Sequence, residues 1–230
     1  MVCWIGIDRS DREFLFVVTY GRSGSTLVMG VLNSITGFSI CGENDCACEE
    51  LFGFYKKFDR SICSFENNVM PLDSRNSWFQ TLSRSGLKSV CQDFLWSLFS
   101  GSGSDRVVGF KEIRWDKPFF EDLVLWLNIV CGRCRFLVVT RNLDDTCRSA
   151  WHAGSPSCRE RLKAFEDRVF GFFGSHSYID SFFLHFDDLY GVSVDSFRDL
   201  FVWLGVDLDE GAVQAVLDRK HSYAGGVKKF

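Results

Sequence analysis

Long apolar stretches and an excess of positive charge are both missing from this sequence. No run reaches the roughly 18 consecutive apolar residues that a membrane-spanning helix needs, so we expect no transmembrane segment. The first 14 residues, MVCWIGIDRSDREF, carry five charges where a secretory signal would have an apolar core, which favours a cytoplasmic protein. The net charge of −4 argues against nucleic acid as a partner, so an anionic ligand must be bound by a local group of cations.

Cysteine, by contrast, is abundant, with ten residues. Without an export signal, this number favours reduced and mostly buried thiols over disulfides. Two groups have spacings that metal ligands use: Cys41, Cys46 and Cys48, and the pair Cys131 and Cys134. Because a zinc ribbon needs a second Cys-x-x-Cys pair that the sequence lacks, we expect no metal, and structural zinc is the less favoured alternative.

Apolar runs alternate with helical patterns along the whole chain, without repeats or low-complexity tracts. Strands are expected at Phe14–Thr19, Arg106–Lys111, Arg135–Thr140 and Phe182–Phe186, with a short extended piece at Phe38–Cys41. Helices are expected after Thr26 and at Glu49–Phe58, Trp78–Phe99, Phe119–Val130, Leu143–Ala153, Arg159–Phe173, Val194–Leu204 and Glu210–Arg219, with Ser61–Asn76 irregular. The alternation predicts one α/β domain over residues 1–230, a three-layer P-loop-like fold with a central parallel β-sheet flanked by helices.

The most informative stretch runs from Phe14 to Asn33, FLFVVTYGRSGSTLVMGVLN. An apolar strand, a turn of glycines and hydroxyls, and the start of a helix together form an anion cradle, because turn amides and the helix dipole point at the ligand. An ordinary turn rich in small residues is the plainer alternative. The residues that we expect to hold the anion are Gly21, Arg22, Ser23, Gly24, Ser25 and Thr26.

Charged residues also follow two other predicted strands. Lys111 and Glu112 end the strand that starts at Arg106, and Arg141 follows the strand that starts at Arg135. Ligands of parallel sheets bind at the carboxyl ends of the strands, so these side chains should converge on the cradle. A strand-end lysine lying along the surface and a helix-capping arginine are the plain alternatives for Lys111 and Arg141. His152, His176 and His185 are isolated and are expected to be structural.

The order Tyr-Gly-Arg-Ser-Gly-Ser-Thr resembles the loop with which sulfotransferases bind the 5′-phosphosulfate of 3′-phosphoadenosine 5′-phosphosulfate (PAPS). Arg141, at a strand end, and Ser149, eight residues on, resemble the 3′-phosphate site of the same family, with Ser149 expected about two turns into the following helix. The GxxxxGK[ST] pattern of P-loop NTPases is not matched, because Arg22 precedes Gly24 and no Gly-Lys-Thr follows.

Three further segments are similar to sulfotransferase motifs. Cys41–Asn44 resembles a segment that supplies a catalytic glutamate, Val108–Trp115 resembles one common in bacterial members, and Leu184–Leu189 with Phe201–Gly205 resembles a late family region. The likeness covers about Phe14 to Arg219. Two features depart from the family: no histidine follows Lys111, and the basic terminal phosphate clamp is reduced to residues around Lys220.

The resemblance implies a PAPS-dependent sulfotransferase that needs no metal and acts on a hydroxyl of a carbohydrate, a glycolipid or a small metabolite. Glu43 would be the base, with a solvated loop carboxylate as the plain alternative, while Arg22 and Lys111 would stabilise the transferring group. Residues 45–84 are expected to form an acceptor or lid insertion, in which Phe52, Phe54, Tyr55 and Trp78 could stack on the acceptor. The rival hypotheses are a P-loop NTP-dependent kinase and an inactive PAP(S)-binding domain. No oligomeric state is indicated.

Overall fold

A single five-stranded parallel sheet, in the order β2-β3-β1-β4-β5, forms the centre of the protein. The computed structural model describes residues 11–67, 83–101, 104–149, 152, 154–189 and 193–219. The strands are β1 Glu13–Val18, β2 Phe38–Cys41, β3 Val107–Glu112, β4 Cys134–Thr140 and β5 Asp180–His185. The helices are α1 Ser25–Leu32, α2 Ala47–Asn67, α3 Arg84–Phe99, α4 Phe120–Cys131, α5 Leu143–Arg148, α6 Cys158–Ser175, α7 Arg198–Leu204 and α8 Glu210–Leu217.

The central strand β1 shows why helices cover both faces of the sheet. Its side chains alternate between the two faces, and from Phe14 to Val18 both sets are apolar and fully buried. Phe14 and Phe16 belong to a core that includes residues of α2, α3, α4 and α6, whereas Leu15 and Val17 belong to a second core with α1, α7 and α8. The predicted three-layer α/β fold with a parallel sheet is therefore confirmed.

Three expectations about helices differ from the structure. Residues from Ser61 onward were expected to be irregular, but α2 continues to Asn67, because Ile62 is buried in the core while charged side chains occupy the outer face.

Helix α5 ends at Arg148 rather than near Ala153, so Ser149 is its extended C-cap residue and does not lie two turns inside a helix. The expected helix at Val194–Leu204 begins as a 3₁₀ turn, Val194–Phe197. The first residues of the expected Trp78–Phe99 helix lie outside the described residues, and α3 begins at Arg84.

The expectation of reduced cysteines is wrong at one place. Cys147 on α5 and Cys158 at the start of α6 form a disulfide, with their Cα atoms 6.0 Å apart. The remaining described cysteines are free thiols. The disulfide joins the end of the short helix after β4 to the long helix that covers the sheet, and it brackets the segment that contains Ser149.

Candidate functional site

The loop after β1 has the backbone conformation that an anion cradle requires. Arg22 and Gly24 adopt left-handed conformations, with φ of 71° and 85°, and α1 begins at Ser25. A Cβ on Gly24 would lie only 2.2 Å from the Phe186 ring, so no larger residue fits there. The first amides of α1 have no carbonyl partner inside the helix and carry the positive end of its dipole.

Hydroxyl groups divide the loop into an inner and an outer side. Ser23 is fully buried, and its Oγ lies 2.6 Å from Thr19 Oγ1 and accepts a bond from Ser25 N at 3.4 Å. Arg22 and Thr26 are exposed. The Ser23 hydroxyl therefore holds the turn in shape, whereas the side chains of Arg22 and Thr26 remain accessible to a ligand.

Arg141 brings a second cation to the same loop. Its Nη1 donates to the Arg22 carbonyl at 3.4 Å, and its guanidinium lies 5.4 Å from the centre of the Phe186 ring. Its Nε is buried and has no hydrogen-bond partner among the described residues, and the same is true of Ser149 Oγ. Two buried donors without partners in one motif fit a missing acceptor such as a phosphate group.

The turn after β5 positions the start of α5. Asp187 accepts a hydrogen bond from Asn142 N, and His185 lies between Asp187 and Thr140, at 3.2 Å and 2.9 Å. Asn142 caps α5, accepting from Asp144 N and Asp145 N. These contacts give His185 a structural position, as the sequence suggested, in the turn next to Arg141.

Glu43 and Lys111 form an ion pair at the carboxyl ends of β2 and β3. Lys111 Nζ lies 2.7 Å from Glu43 Oε1, with the lysine side chain 8% exposed and the glutamate 37% exposed. Lys111 pairs in register with Val17 of β1, which leads directly to the cradle. Sequence reasoning placed both residues near the reacting group but did not pair them with each other.

The segment after Lys111 is built around a second ion pair. Glu112 is buried, and its Oε1 accepts from Ile113 N at 2.8 Å and from Arg114 Nε at 3.2 Å. Arg114 also binds Asp45, and these hydrogen bonds, Glu112 first, raise the pKa of the guanidinium. The Glu112–Arg114 pair therefore holds the segment that follows β3.

A cavity of about 210 Å³ lies beside the cradle. Its apolar wall includes Ile113, Leu162 and Phe165, and charged groups of Asp116 and Arg161 stand at its edge. None of Arg22, Glu43 and Lys111 is among the residues that line it. The lining residues are Tyr20, Gly21, Ile113, Arg114, Asp116, His152, Arg161, Leu162 and Phe165.

Some predicted residues have other positions. Phe52 and Tyr55, expected to stack on an acceptor, pack instead against Trp126 at centroid distances of 5.4 Å and 5.8 Å. Phe54 packs on Phe58. Trp78 and Lys220 lie outside the described residues, so their expected roles stay predictions.

Several residues at the site had no role in the sequence argument. Phe186 and Tyr20 stand inside motifs that resemble the family, but their contacts with Gly24 and Arg141 required the fold. His152 Nε2 lies 3.3 Å from the Gly21 carbonyl, and Glu166 Oε1 lies 2.6 Å from the Tyr20 hydroxyl. In the sequence, Glu166 is only a regularly spaced polar residue of a predicted helix, and this pattern does not indicate a functional site.

Among the described residues, no three histidine, cysteine or acidic side chains come together as metal ligands. Burial raises the pKa of the Cys46 thiol to about 11 and also raises the pKa of Cys41 and Cys48.

No helix in the described part of the chain combines the length and hydrophobicity that crossing a membrane requires.

Comparison with known proteins gives a loose likeness of fold. No family model matches the chain, and neither does any curated protein. The chain is similar to the sulfotransferase STF9 from Mycobacterium avium, with 12% identity and a TM-score of 0.48 over 90% of this chain and 67% of that one. It is also similar to a sulfotransferase from Alicyclobacillus acidocaldarius, with 19% identity and a TM-score of 0.48 over 86% and 83%. Because both likenesses are loose, the function proposed below rests on this chain's own side chains.

Proposed function

We propose that the protein is a sulfotransferase that moves the sulfuryl group of PAPS to a hydroxyl of an acceptor. The observation that carries this proposal is the junction of two anion-binding groups, the Arg22 loop and Arg141, joined by the 3.4 Å hydrogen bond from Arg141 Nη1 to the Arg22 carbonyl. Arg141 Nε and Ser149 Oγ are buried without partners in the described structure. A nucleotide with phosphate groups at both its 5′ and 3′ positions suits such a pair of sites.

The residues divide into two phosphate-binding groups. Gly21, Arg22, Ser23, Gly24, Ser25 and Thr26 form the loop for the 5′-phosphosulfate, in which backbone amides and the Arg22 cation stabilise the charge that develops on the leaving phosphate. Arg141 and Ser149 bind the 3′-phosphate, and Lys220 remains a candidate for the same phosphate. Within this scheme PAPS supplies the sulfuryl group, and the fixed cations make a metal unnecessary.

We assign the Glu43–Lys111 pair to the acceptor side. Glu43 is more exposed than Lys111, so its carboxylate is the member of the pair that a hydroxyl can reach. Glu43 accepts the acceptor proton, while Lys111 holds the carboxylate in position and adds positive charge near the transferring group.

The cavity beside the cradle suits a small hydroxyl compound. Its volume of about 210 Å³ admits a sugar ring or a small metabolite, but Glu43 does not line it, so we assign the cavity to part of the acceptor and not to the hydroxyl that reacts. The insertion at 45–84 stays a candidate lid, although Phe52 and Tyr55 of that segment pack in the core.

Binding and transfer test the proposal in two steps. Calorimetry with PAP, the desulfated product, and with ADP should show a marked preference for PAP, because only PAP has the 3′-phosphate that Arg141 and Ser149 accept. Equal or tighter binding of ADP would instead favour a nucleoside-triphosphate-dependent kinase. Incubation with labelled PAPS and a host cell extract should then yield a labelled product. PAP binding without transfer to any acceptor would indicate a binding domain that lacks activity.

A further inference from the structure

The hydroxyl of Tyr20 contacts three groups from two different elements. It lies 2.8 Å from the Arg141 carbonyl and 2.8 Å from the Arg141 amide, which donates to it. It also lies 2.6 Å from Oε1 of Glu166 on α6. Tyr20 is 3% exposed, so its hydroxyl is shielded from water, whereas Glu166 is partly exposed. The cluster joins the residue before Gly21 to the backbone of the arginine that follows β4.

A count of protons shows which form of Glu166 satisfies the cluster. A phenol has one proton to donate and can accept two hydrogen bonds. If Glu166 is ionised, both its carboxylate and the Arg141 carbonyl need the single Tyr20 proton, and one of them goes without. If Glu166 is protonated, it donates to Tyr20, Tyr20 donates to the Arg141 carbonyl, and the Arg141 amide donates to Tyr20. All the hydrogen bonds are then made.

We propose that Tyr20 and Glu166 are positioning residues for Arg141, and that protonated Glu166 completes the contact that holds the Arg141 backbone against the loop after β1. The inference rests on the proposed function, in which the Arg141 guanidinium binds the 3′-phosphate. When Glu166 loses its proton to solvent, the Tyr20 proton is drawn toward the carboxylate and the Arg141 carbonyl loses its donor. Arg141 is then held less firmly, and the nucleotide binds more weakly.

The surroundings of Glu166 agree with a proton held in this cluster. Burial raises the pKa of the Glu166 carboxyl, and this effect exceeds the opposing hydrogen bond from Tyr20. The charged groups that face it are His185 on β5 and Lys163 and Asp167 on its own helix, and Asp187, after β5, faces Tyr20. His185 and Lys163 favour the ionised form, whereas Asp167 favours the protonated one, so the burial of Glu166 decides the direction.

The test compares PAP binding by calorimetry in matched variants, across the pH range in which the protein stays folded. The side-chain amide in Glu166→Gln donates to Tyr20 at every pH. The affinity of this variant for PAP should therefore show no pH dependence from the ionisation of residue 166. Relative to this variant, the wild-type dissociation constant should rise about fivefold as the pH rises through the Glu166 pKa, the loss expected for one buried hydrogen bond. Dividing the wild-type dissociation constant by that of Glu166→Gln cancels the effect of PAP ionisation, which all variants share.

Two further variants separate positioning from general effects. Glu160→Gln makes the same charge change at an exposed site of α6 and should follow the wild type at every pH. Tyr20→Phe keeps the ring but leaves the Arg141 amide and carbonyl unpaired, so PAP should bind about fivefold more weakly at every pH, with no remaining Glu166 effect.

Two outcomes distinguish failure of this inference from failure of the proposed function. Intact PAP binding with the same pH profile in wild type and Glu166→Gln would overturn the positioning role. Absence of PAP binding in the wild type at any pH would overturn the proposed ligand. In that case the Arg141 amide resonance in an NMR titration still tests the contact, because it should move with Glu166 ionisation in the wild type and not in Glu166→Gln.

Discussion

Lys111 and Glu43 form an ion pair of 2.7 Å between a buried strand residue and a loop residue 68 positions away in sequence. The loop that contains Glu43 turns sharply at Asp45 and Cys46, which both have positive φ, before α2 begins. The contact fixes Glu43 at the carboxyl edge of the sheet, where the anion cradle also lies. The first prediction concerns this pair.

Glu43→Gln is expected to lower the turnover of sulfuryl transfer by about 10²- to 10⁴-fold, the range for loss of a general base. PAP affinity should be unchanged, because Glu43 is on the acceptor side. Steady-state kinetics with the identified acceptor and calorimetry with PAP provide the two measurements. The matched control is Glu50→Gln, an exposed carboxylate on α2, which should transfer normally. Full activity in the Glu43 variant would rule it out as the base.

Arg141→Ala and Ser149→Ala are expected to reduce the preference for PAP over AMP, which lacks the 3′-phosphate. Loss of a charge-assisted hydrogen bond costs about 1.5 to 3 kcal/mol, so the Arg141 variant should bind PAP at least about tenfold more weakly. Binding of AMP should change much less. Arg148→Ala, which removes a cation on α5 whose side chain is 75% exposed, is the control and should keep the preference. Equal losses for PAP and AMP would mean that Arg141 does not bind the 3′-phosphate.

Gly24→Ala is expected to destabilise the protein and to weaken PAP binding. The new Cβ would overlap the Phe186 ring, and the left-handed backbone adds a cost of about 1 kcal/mol. Removing the ring with Phe186→Ala should abolish the part of the destabilisation that comes from the overlap, but not the part that comes from the left-handed backbone. A double-mutant cycle followed by urea unfolding separates the two parts. Gly171→Ala on α6, where a Cβ meets no atom within 4 Å, should instead stabilise by about 0.5 to 1 kcal/mol. If the losses of unfolding free energy in the two single variants simply add in the double variant, the contact between Gly24 and Phe186 is contradicted.

Reduction of the Cys147–Cys158 disulfide is expected to lower the free energy of unfolding by about 3 kcal/mol, the entropy released to the unfolded chain by opening a loop of this length. Denaturant unfolding with and without a reductant measures the difference. The double variant Cys147→Ser/Cys158→Ser provides the control, because its stability should not respond to the reductant. A wild-type midpoint that is the same under both conditions would show that the bond contributes no stability.

The sequence predicted the sheet and the turn from Gly21 to Thr26 well because both depend on local patterns. Buried parallel strands are continuous apolar runs, as at Phe14–Thr19 and Arg135–Thr140, and the turn between them and a helix is marked by glycines and hydroxyls. The place of Arg141 at a strand end follows from the same local pattern. The end of α5 was harder to predict, because the residues after Arg148 include helix formers.

Local patterns and the resemblance to sulfotransferase motifs were enough to predict the α/β architecture, the loop from Gly21 to Thr26, and Glu43, Lys111 and Arg141 as candidate residues. Only the folded structure shows that Glu43 pairs with Lys111, that Phe186 fills the space beside Gly24, that Cys147 bonds Cys158, and that Tyr20 links Arg141 to Glu166. The physical reason is distance along the chain. Propensity and periodicity act over a few residues, whereas these contacts join segments up to 162 positions apart, which only the packing of helices on the sheet brings together.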